Sequence, residues 1–248
     1  MIRTICLGIV LLGCGTLGDI AFRVRREGDV ALVVKEGCCV GCRHDRDVSR
    51  AVDALRRGEA VVFPTDTVYG VGVAVRFAQS PERLFKLKRR DEGKPVAWLI
   101  GSFDDLERYA VDVPEYAVSL AKAFWPGALT LVVKASDRVP AAFRSNEGTI
   151  GLRMPASDVA LELARAVSSP LATTSANFSG EPAPRSYEEL DPAFSSQAAS
   201  VLADGSAESG VASTVLDCRG ERPACIREGS IGKADVDAAL LAARPRGL

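Results

Sequence analysis

The chain has 248 residues, 47% of them hydrophobic and 25% charged, the proportions of an ordinary folded globular protein. Collagen-like, mucin-like and wholly disordered classes are excluded by that balance. With 31 basic against 32 acidic side chains the net charge is −1, so the chain is not a polyelectrolyte that grips nucleic acid everywhere, and any basic surface is local.

Residues 1–47 read as an N-terminal extension. Ile5 to Gly18 is an apolar run of 14 residues behind Arg3, short of the roughly 20 that cross a bilayer as a helix. An export signal and an upstream, non-native start are both compatible with it. Five of the seven cysteines (Cys6, Cys14, Cys38, Cys39, Cys42) fall in this stretch, and the rest of the chain holds Cys218 and Cys225. A body so poor in cysteine suits a reducing compartment, and the expectation is a cytoplasmic protein without a membrane partner. Cys39, Cys42 and His44, the single histidine, stand at metal-ligand spacing. A lone pair of cysteines lacks the further ligands of a structural zinc site, so plain thiols and no metal are expected.

From Val48 to the C-terminus one domain of alternating helices and strands is predicted. Val48 to Arg57 has helical apolar spacing and ends at Gly58. Ala60 to Phe63 is a buried strand, followed by the hydroxyl-rich PTDTVY and an apolar stretch framed by Gly70 and Gly72. Ser80 to Arg89 reads as a helix, with Ser80 as N-cap and Pro81 at the first position. Strands are predicted over Val96 to Ile100, Leu129 to Val133, Thr149 to Arg153, Leu171 to Thr174 and Val211 to Leu216. Helices are predicted over Tyr116 to Phe124, Asp158 to Val167 and Asp235 to Ala243, and a surface loop over Ser195 to Gly210. The pattern is that of a layered α/β or α+β domain built on one sheet.

The chemistry-bearing residues collect at strand ends. No P-loop, dinucleotide-binding glycine motif, zinc-protease motif or nucleophile elbow occurs. The run Arg83, Lys86, Lys88, Arg89, Arg90, Lys94 is either a solvated cationic face or a helix end that aims Lys88 and Arg90 at a common space. LATTSANFSG ends a strand in Thr173, Thr174, Ser175 and Asn177, which suit phosphate or carboxylate oxygens or, alternatively, a capping turn. Arg153, Ser213 and Arg227 follow or end other strands. Together these imply an anion-binding crevice that works by neutralising charge and positioning.

PTDTVYGVG, KRRDEGKP, WPGALTLVV, TIGLRMP, TTSANFSG and ASTVLDC, in that order, resemble the YrdC family of threonylcarbamoyl-AMP synthases over about Val48 to Leu241. The resemblance, to the short single-domain form, implies a twisted mixed sheet with flanking helices around a concave basic groove. It implies that L-threonine, bicarbonate or CO2, and ATP give threonylcarbamoyl-adenylate and pyrophosphate, for N6-threonylcarbamoyladenosine in tRNA. It implies Mg²⁺ held mainly by ATP, downstream threonylcarbamoyl transferase proteins as partners, and contact with tRNA. The family's signature falls on Lys88, Arg90, Ser175 and Asn177, with Lys88 and Arg90 as the catalytic pair. By the same resemblance Thr67, Arg153, Thr173 and Ser213 hold threonine, and Arg90, Lys94, Thr149, Ser175, Asn177 and Arg227 hold ATP. Leu99 and Ala183 stand where many relatives carry histidine and serine, and Lys94 where many carry asparagine. The alternative function is a module that binds double-stranded RNA or tRNA without forming an adenylate.

Overall fold

In the computed structural model residues 40–89, 96–203 and 209–243 are described, with side chains from Arg46 onward. Arg90 and Lys94 lie outside the described residues, as do Cys39 and the side chains of Cys42 and His44. By its internal contacts the chain divides after Arg46, and the unit that begins at Asp47 is the one described below.

Ten strands form one mixed sheet. They are β1 (Val61–Phe63), β2 (Gly70–Ala74), β3 (Ala97–Leu99), β4 (Ala110–Val111), β5 (Leu129–Ala135), β6 (Thr149–Arg153), β7 (Leu171–Ser175), β8 (Ser200–Val201), β9 (Thr214–Asp217) and β10 (Ala224–Arg227). Their order is β10-β9-β5-β6-β3-β7-β2-β1-β8, with β4 added beside β5. β3 and β6 run parallel, as do β5 and β9 and also β1 and β8, and the other pairs are antiparallel. Helices pack on the sheet through apolar stripes. In Val40–Arg56, the residues Val48, Ala51, Val52 and Leu55 recur at helical spacing and pack with Val61, Phe63 and Leu163. In Asp158–Ala166, Ala160, Leu161, Leu163 and Ala164 are buried, and the Ser157 hydroxyl caps the helix by accepting from the Ala160 amide.

The first helix begins at Val40, eight residues ahead of the predicted start. The helix predicted from Ser80 covers Glu82–Lys88, and Pro81 is its cap residue rather than its first turn. Arg89 ends it in the left-handed conformation, at φ 50 and ψ 44. The strand predicted from Val211 starts at Thr214, because the carbonyls of Ala212 and Ser213 face Ser230 and the Arg227 side chain instead of a ladder partner. Within the predicted loop, Ser200–Val201 pairs with β1. No helix among the described residues is long and apolar enough to cross a membrane.

The two described cysteines differ in burial. Cys218 is fully buried, and burial with the neighbouring Asp217 charge pushes its thiol up to about 12. Cys225 is exposed on the edge strand β10. Iodoacetamide at mildly alkaline pH, followed by peptide mapping, is expected to label Cys225 and to spare Cys218 until denaturant is added. Equal labelling of both in the native protein would contradict the burial. The sign is that of a raised acid: the neutral thiol favours the fold at neutral pH, and that contribution is lost as pH climbs from the ordinary thiol range to about 12.

Candidate active site

One face of the sheet holds a cavity of about 800 Å³, within the usual range of ligand sites. Its floor follows from strand alternation. On β5, Leu129, Leu131 and Val133 are buried on the core side, and Thr130 and Val132 turn to the cavity. On β6 the cavity side carries Thr149, Gly151 and Arg153, and on β7 it carries Thr173 and Ser175. Glycine is required opposite them: a Cβ on Gly72 would stand 2.8 Å from the Thr173 hydroxyl oxygen, and one on Gly70 would stand 3.0 Å from its methyl.

Two arginines define one end. Arg153, only 6% exposed, donates from Nε to the Gly127 carbonyl at 3.0 Å, from Nη1 to Thr67 Oγ1 at 3.0 Å and from Nη2 to Asp66 Oδ1 at 2.5 Å. Two of these acceptors have their own support. Thr65 Oγ1 lies 3.0 Å from Thr67 Oγ1 and accepts from the amides of Thr67 and Val68, which folds the PTDT segment into a tight hydroxyl turn. Gly127 presents its carbonyl from a turn where a Cβ would meet the Phe124 carbonyl oxygen at 2.4 Å. Burial lowers the Arg153 guanidinium from its ordinary value, Asp66 opposes this, and the Arg227 charge lowers it further.

Arg227 ends β10. Its Nε and Nη2 donate to the Ser213 carbonyl at 3.1 and 2.8 Å, and Nη2 also reaches Ser213 Oγ at 3.1 Å. That hydroxyl in turn lies 3.0 Å from Thr130 Oγ1. No carboxylate pairs with Arg227 among the described residues. The register makes this a row: Arg227 pairs with Val215, Val215 with Thr130, and Thr130 stands one step beyond the Leu131–Leu152 pair, level with Arg153. A cationic row thus crosses four strands at one end of the cavity.

The Ser175–Asn177 segment forms another wall. Lys88, the last residue of its helix, is buried, and its Nζ donates to the carbonyls of Ser175 at 2.6 Å and Asn177 at 2.7 Å and to Asn177 Oδ1 at 3.2 Å. Lys88 therefore stands behind the wall and does not project from a frayed end, as the sequence suggested. Asn177 Nδ2 donates onward to the carbonyls of Phe178 and Glu181, at 2.9 and 2.6 Å, so both ends of this amide are engaged by the protein. Of the residues predicted from sequence, the cavity brings together Thr67, Arg153, Thr173, Ser213, Thr149, Ser175, Asn177 and Arg227. Leu99 and Ala183 line it too. Asp66, Thr130, Glu147 and Arg219 were not foreseen. Thr130 is the polar residue at a cavity-side position of an otherwise apolar strand, and that alternation is the signal that could have found it.

The described lining residues include no histidine, cysteine or lysine. What the arrangement offers is bidentate and hydroxyl recognition of anions over an apolar floor of Ala97, Val132 and Val215. The profile of the family described as "Telomere recombination" (Sua5_yciO_yrdC) matches residues 53–229. The chain belongs to the Sua5/YciO/YrdC family.

Within that family the chain is 37% identical over 189 residues to the putative threonylcarbamoyl-AMP synthase of Mycobacterium tuberculosis, covering 76% of this chain and 87% of that one. It is 37% identical over 187 residues to the threonylcarbamoyl-AMP synthase of Pyrococcus abyssi, covering 75% of this chain but 55% of the relative. The chain thus spans little more than half the length of that relative. The crystal structure of P. abyssi Sua5 complexed with L-threonine superposes with a TM-score of 0.74 at 36% identity, covering 77% of this chain and 56% of that one. The mixed sheet with flanking helices is the YrdC-like fold.

Proposed function

We propose that the protein joins L-threonine, CO2 or bicarbonate, and ATP into threonylcarbamoyl-AMP with release of pyrophosphate, for N6-threonylcarbamoyladenosine in tRNA. The observation that carries this reading is the Arg153–Arg227 row at one end of a cavity rich in hydroxyls. Arg153, with Thr67, Thr173 and Ser213 around it, receives the threonine carboxylate. Three of its five N–H groups are held by the protein, which fixes the plane of the guanidinium and leaves a donor on each Nη. Arg227, Thr149 and Ser175 face the nucleotide, joined by Arg90 and Lys94 on the strength of the family signature. Asn177 and Lys88 hold the wall on which Ser175 sits.

The reaction then needs no side-chain nucleophile. The threonine amine takes up CO2 as a carbamate, a carbamate oxygen attacks the α-phosphorus, and pyrophosphate leaves. The arginines offset charge that moves toward the leaving group. Among the described residues no group of three or more metal-ligating side chains exists. No resident metal site is assigned, and Mg²⁺ arrives with ATP. The use of the product on tRNA places the protein in the cytoplasm beside the transferase proteins that consume it. A duplex-RNA-binding module is less favoured, because the chain's net charge of −1 supplies no general attraction for a phosphate backbone.

Arg90 and Arg89 provide a paired test. Arg90→Ala is expected to lower pyrophosphate release about ten- to several-hundredfold, the loss of one charge-assisted contact of roughly 1.5–3 kcal/mol or somewhat more. Arg89 lies over the Phe178 ring, with 4.4 Å from its guanidinium carbon to the ring centre. Arg89→Ala should keep the rate and lower the melting temperature slightly, since such a contact contributes about 0.5–1 kcal/mol. Equal rates for the two variants would show that the basic run is a solvated face.

A further inference from the structure

The end of the cavity away from the arginine row carries a third arginine, and its charge is cancelled. Arg219 follows β9 and lines the cavity. Its Nε donates to both carboxylate oxygens of Asp217, at 2.9 and 3.1 Å, and its Nη2 donates to Asp217 Oδ2 at 2.6 Å. Its Nη1 is bonded to Glu147 Oε2, on the turn that precedes β6. That turn is built: Ser145 Oγ lies 2.6 Å from Thr149 Oγ1 and accepts from the amides of Glu147 and Thr149. The Arg219 carboxylate partners hold its guanidinium above its ordinary value, and Arg219 lowers Asp217.

The two ends are therefore unlike. At one, Arg227 donates to a neutral carbonyl and a neutral hydroxyl. At the other, one arginine faces two carboxylates. Arg219 lies four residues beyond Val215, the β9 member of the arginine row, and two beyond the end of that strand. Val132, Val215 and Gly151 provide a weakly polar floor between them.

We propose that Glu147 and Asp217 are specificity-determining residues: by holding Arg219 they deny a polyphosphate a second anchor and fix the direction in which a nucleoside triphosphate lies, phosphates toward Arg227. An Arg219 freed from both carboxylates offers its donors to the same phosphates at the wrong end. ATP then has two competing registers, only one of which presents its α-phosphorus to the threonine side. The proposal rests on the reading of the cavity as an ATP site, but its central claim concerns a polyanion alone and is testable without turnover.

The test is a calorimetric titration of the full chain with inorganic triphosphate. Three proteins are compared: the unmodified chain, a Glu147→Gln/Asp217→Asn double variant, and the same double variant with Arg219→Met added. Melting curves run beside them. The double variant should bind triphosphate about tenfold or more tightly than the unmodified chain, the effect of one added charge-assisted contact. Arg219→Met should erase the gain, and raised salt should shrink it. A conservative Glu147→Asp variant that keeps the unmodified affinity supports the charge rather than the fold of the turn. Unchanged triphosphate affinity in a folded double variant overturns the proposal, and so does a gain that survives Arg219→Met. Failure of the enzymatic reading would appear elsewhere, as absence of threonine-dependent pyrophosphate release from the unmodified chain.

Discussion

Replacing Arg153 by alanine is expected to abolish adenylate formation and to destabilise the fold. Two effects add. If Arg153 receives the threonine carboxylate as proposed, the substrate loses a planar fork that Gly127, Thr67 and Asp66 hold in place. Asp66, itself only 8% exposed, is left as a buried carboxylate without its counter-charge. Breaking such a pair from one side costs about 3–5 kcal/mol. The rate of pyrophosphate release should fall at least about a thousandfold, which corresponds to roughly 4 kcal/mol in the barrier. Combining Arg153→Ala with Asp66→Asn separates the two effects: the second substitution removes the stranded charge and should recover much of the melting temperature without recovering rate. Arg153→Lys should sit between, because one ammonium meets Asp66 but cannot also serve Thr67, Gly127 and the substrate. If the double variant regains activity along with stability, Arg153 is a structural arginine and does not bind the carboxylate.

The second large effect is expected at Lys88, and it falls on stability first. Lys88→Met keeps the length and removes the ammonium, leaving the Asn177 carbonyl and amide oxygen without the donor they share and the Ser175 carbonyl with the Asn177 amide alone. Hydrogen bonds to a charged group are worth about 1.5–3 kcal/mol each, and buried acceptors left bare add to the cost. Folding should weaken by about 3 kcal/mol or more, and the Ser175–Glu181 wall should loosen, which raises KM for ATP. Lys88→Arg should not rescue, since a rigid planar guanidinium cannot turn its donors to all three acceptors that one ammonium reaches. Activity lost at an unchanged melting temperature would contradict this and make Lys88 a direct phosphate ligand.

The sequence carried the frame of the sheet where hydrophobic alternation was strong. Thr149 to Arg153 appears with the predicted ends, and Leu171 to Ser175 differs by one residue. β10 was missed because all four of its residues are exposed, so the segment shows no core pattern; it is held by pairing with β9 and by the Arg227 side chain on Ser213. The early start of the first helix was missed because its opening sequence, VGCRHDRD, shows no apolar residues at helical spacing. In the site, residue type pointed to Arg153, Ser213, Thr173 and Arg227 as anion ligands. What residue type could not show was which cations are already satisfied. Lys88 and Arg219 look like free positive charges in the sequence. Folding brings acceptors to Lys88 from residues 87 and 89 positions away, and a carboxylate to Arg219 from 72 positions away.

The central claim is tested most directly by incubating the purified full chain with ATP, L-threonine and bicarbonate, and following pyrophosphate together with the adenylate by mass spectrometry. The account predicts pyrophosphate release that requires both threonine and bicarbonate, with threonylcarbamoyl-AMP formed in equal amount. Release that is indifferent to threonine, or ATP turnover without that adenylate, would contradict it.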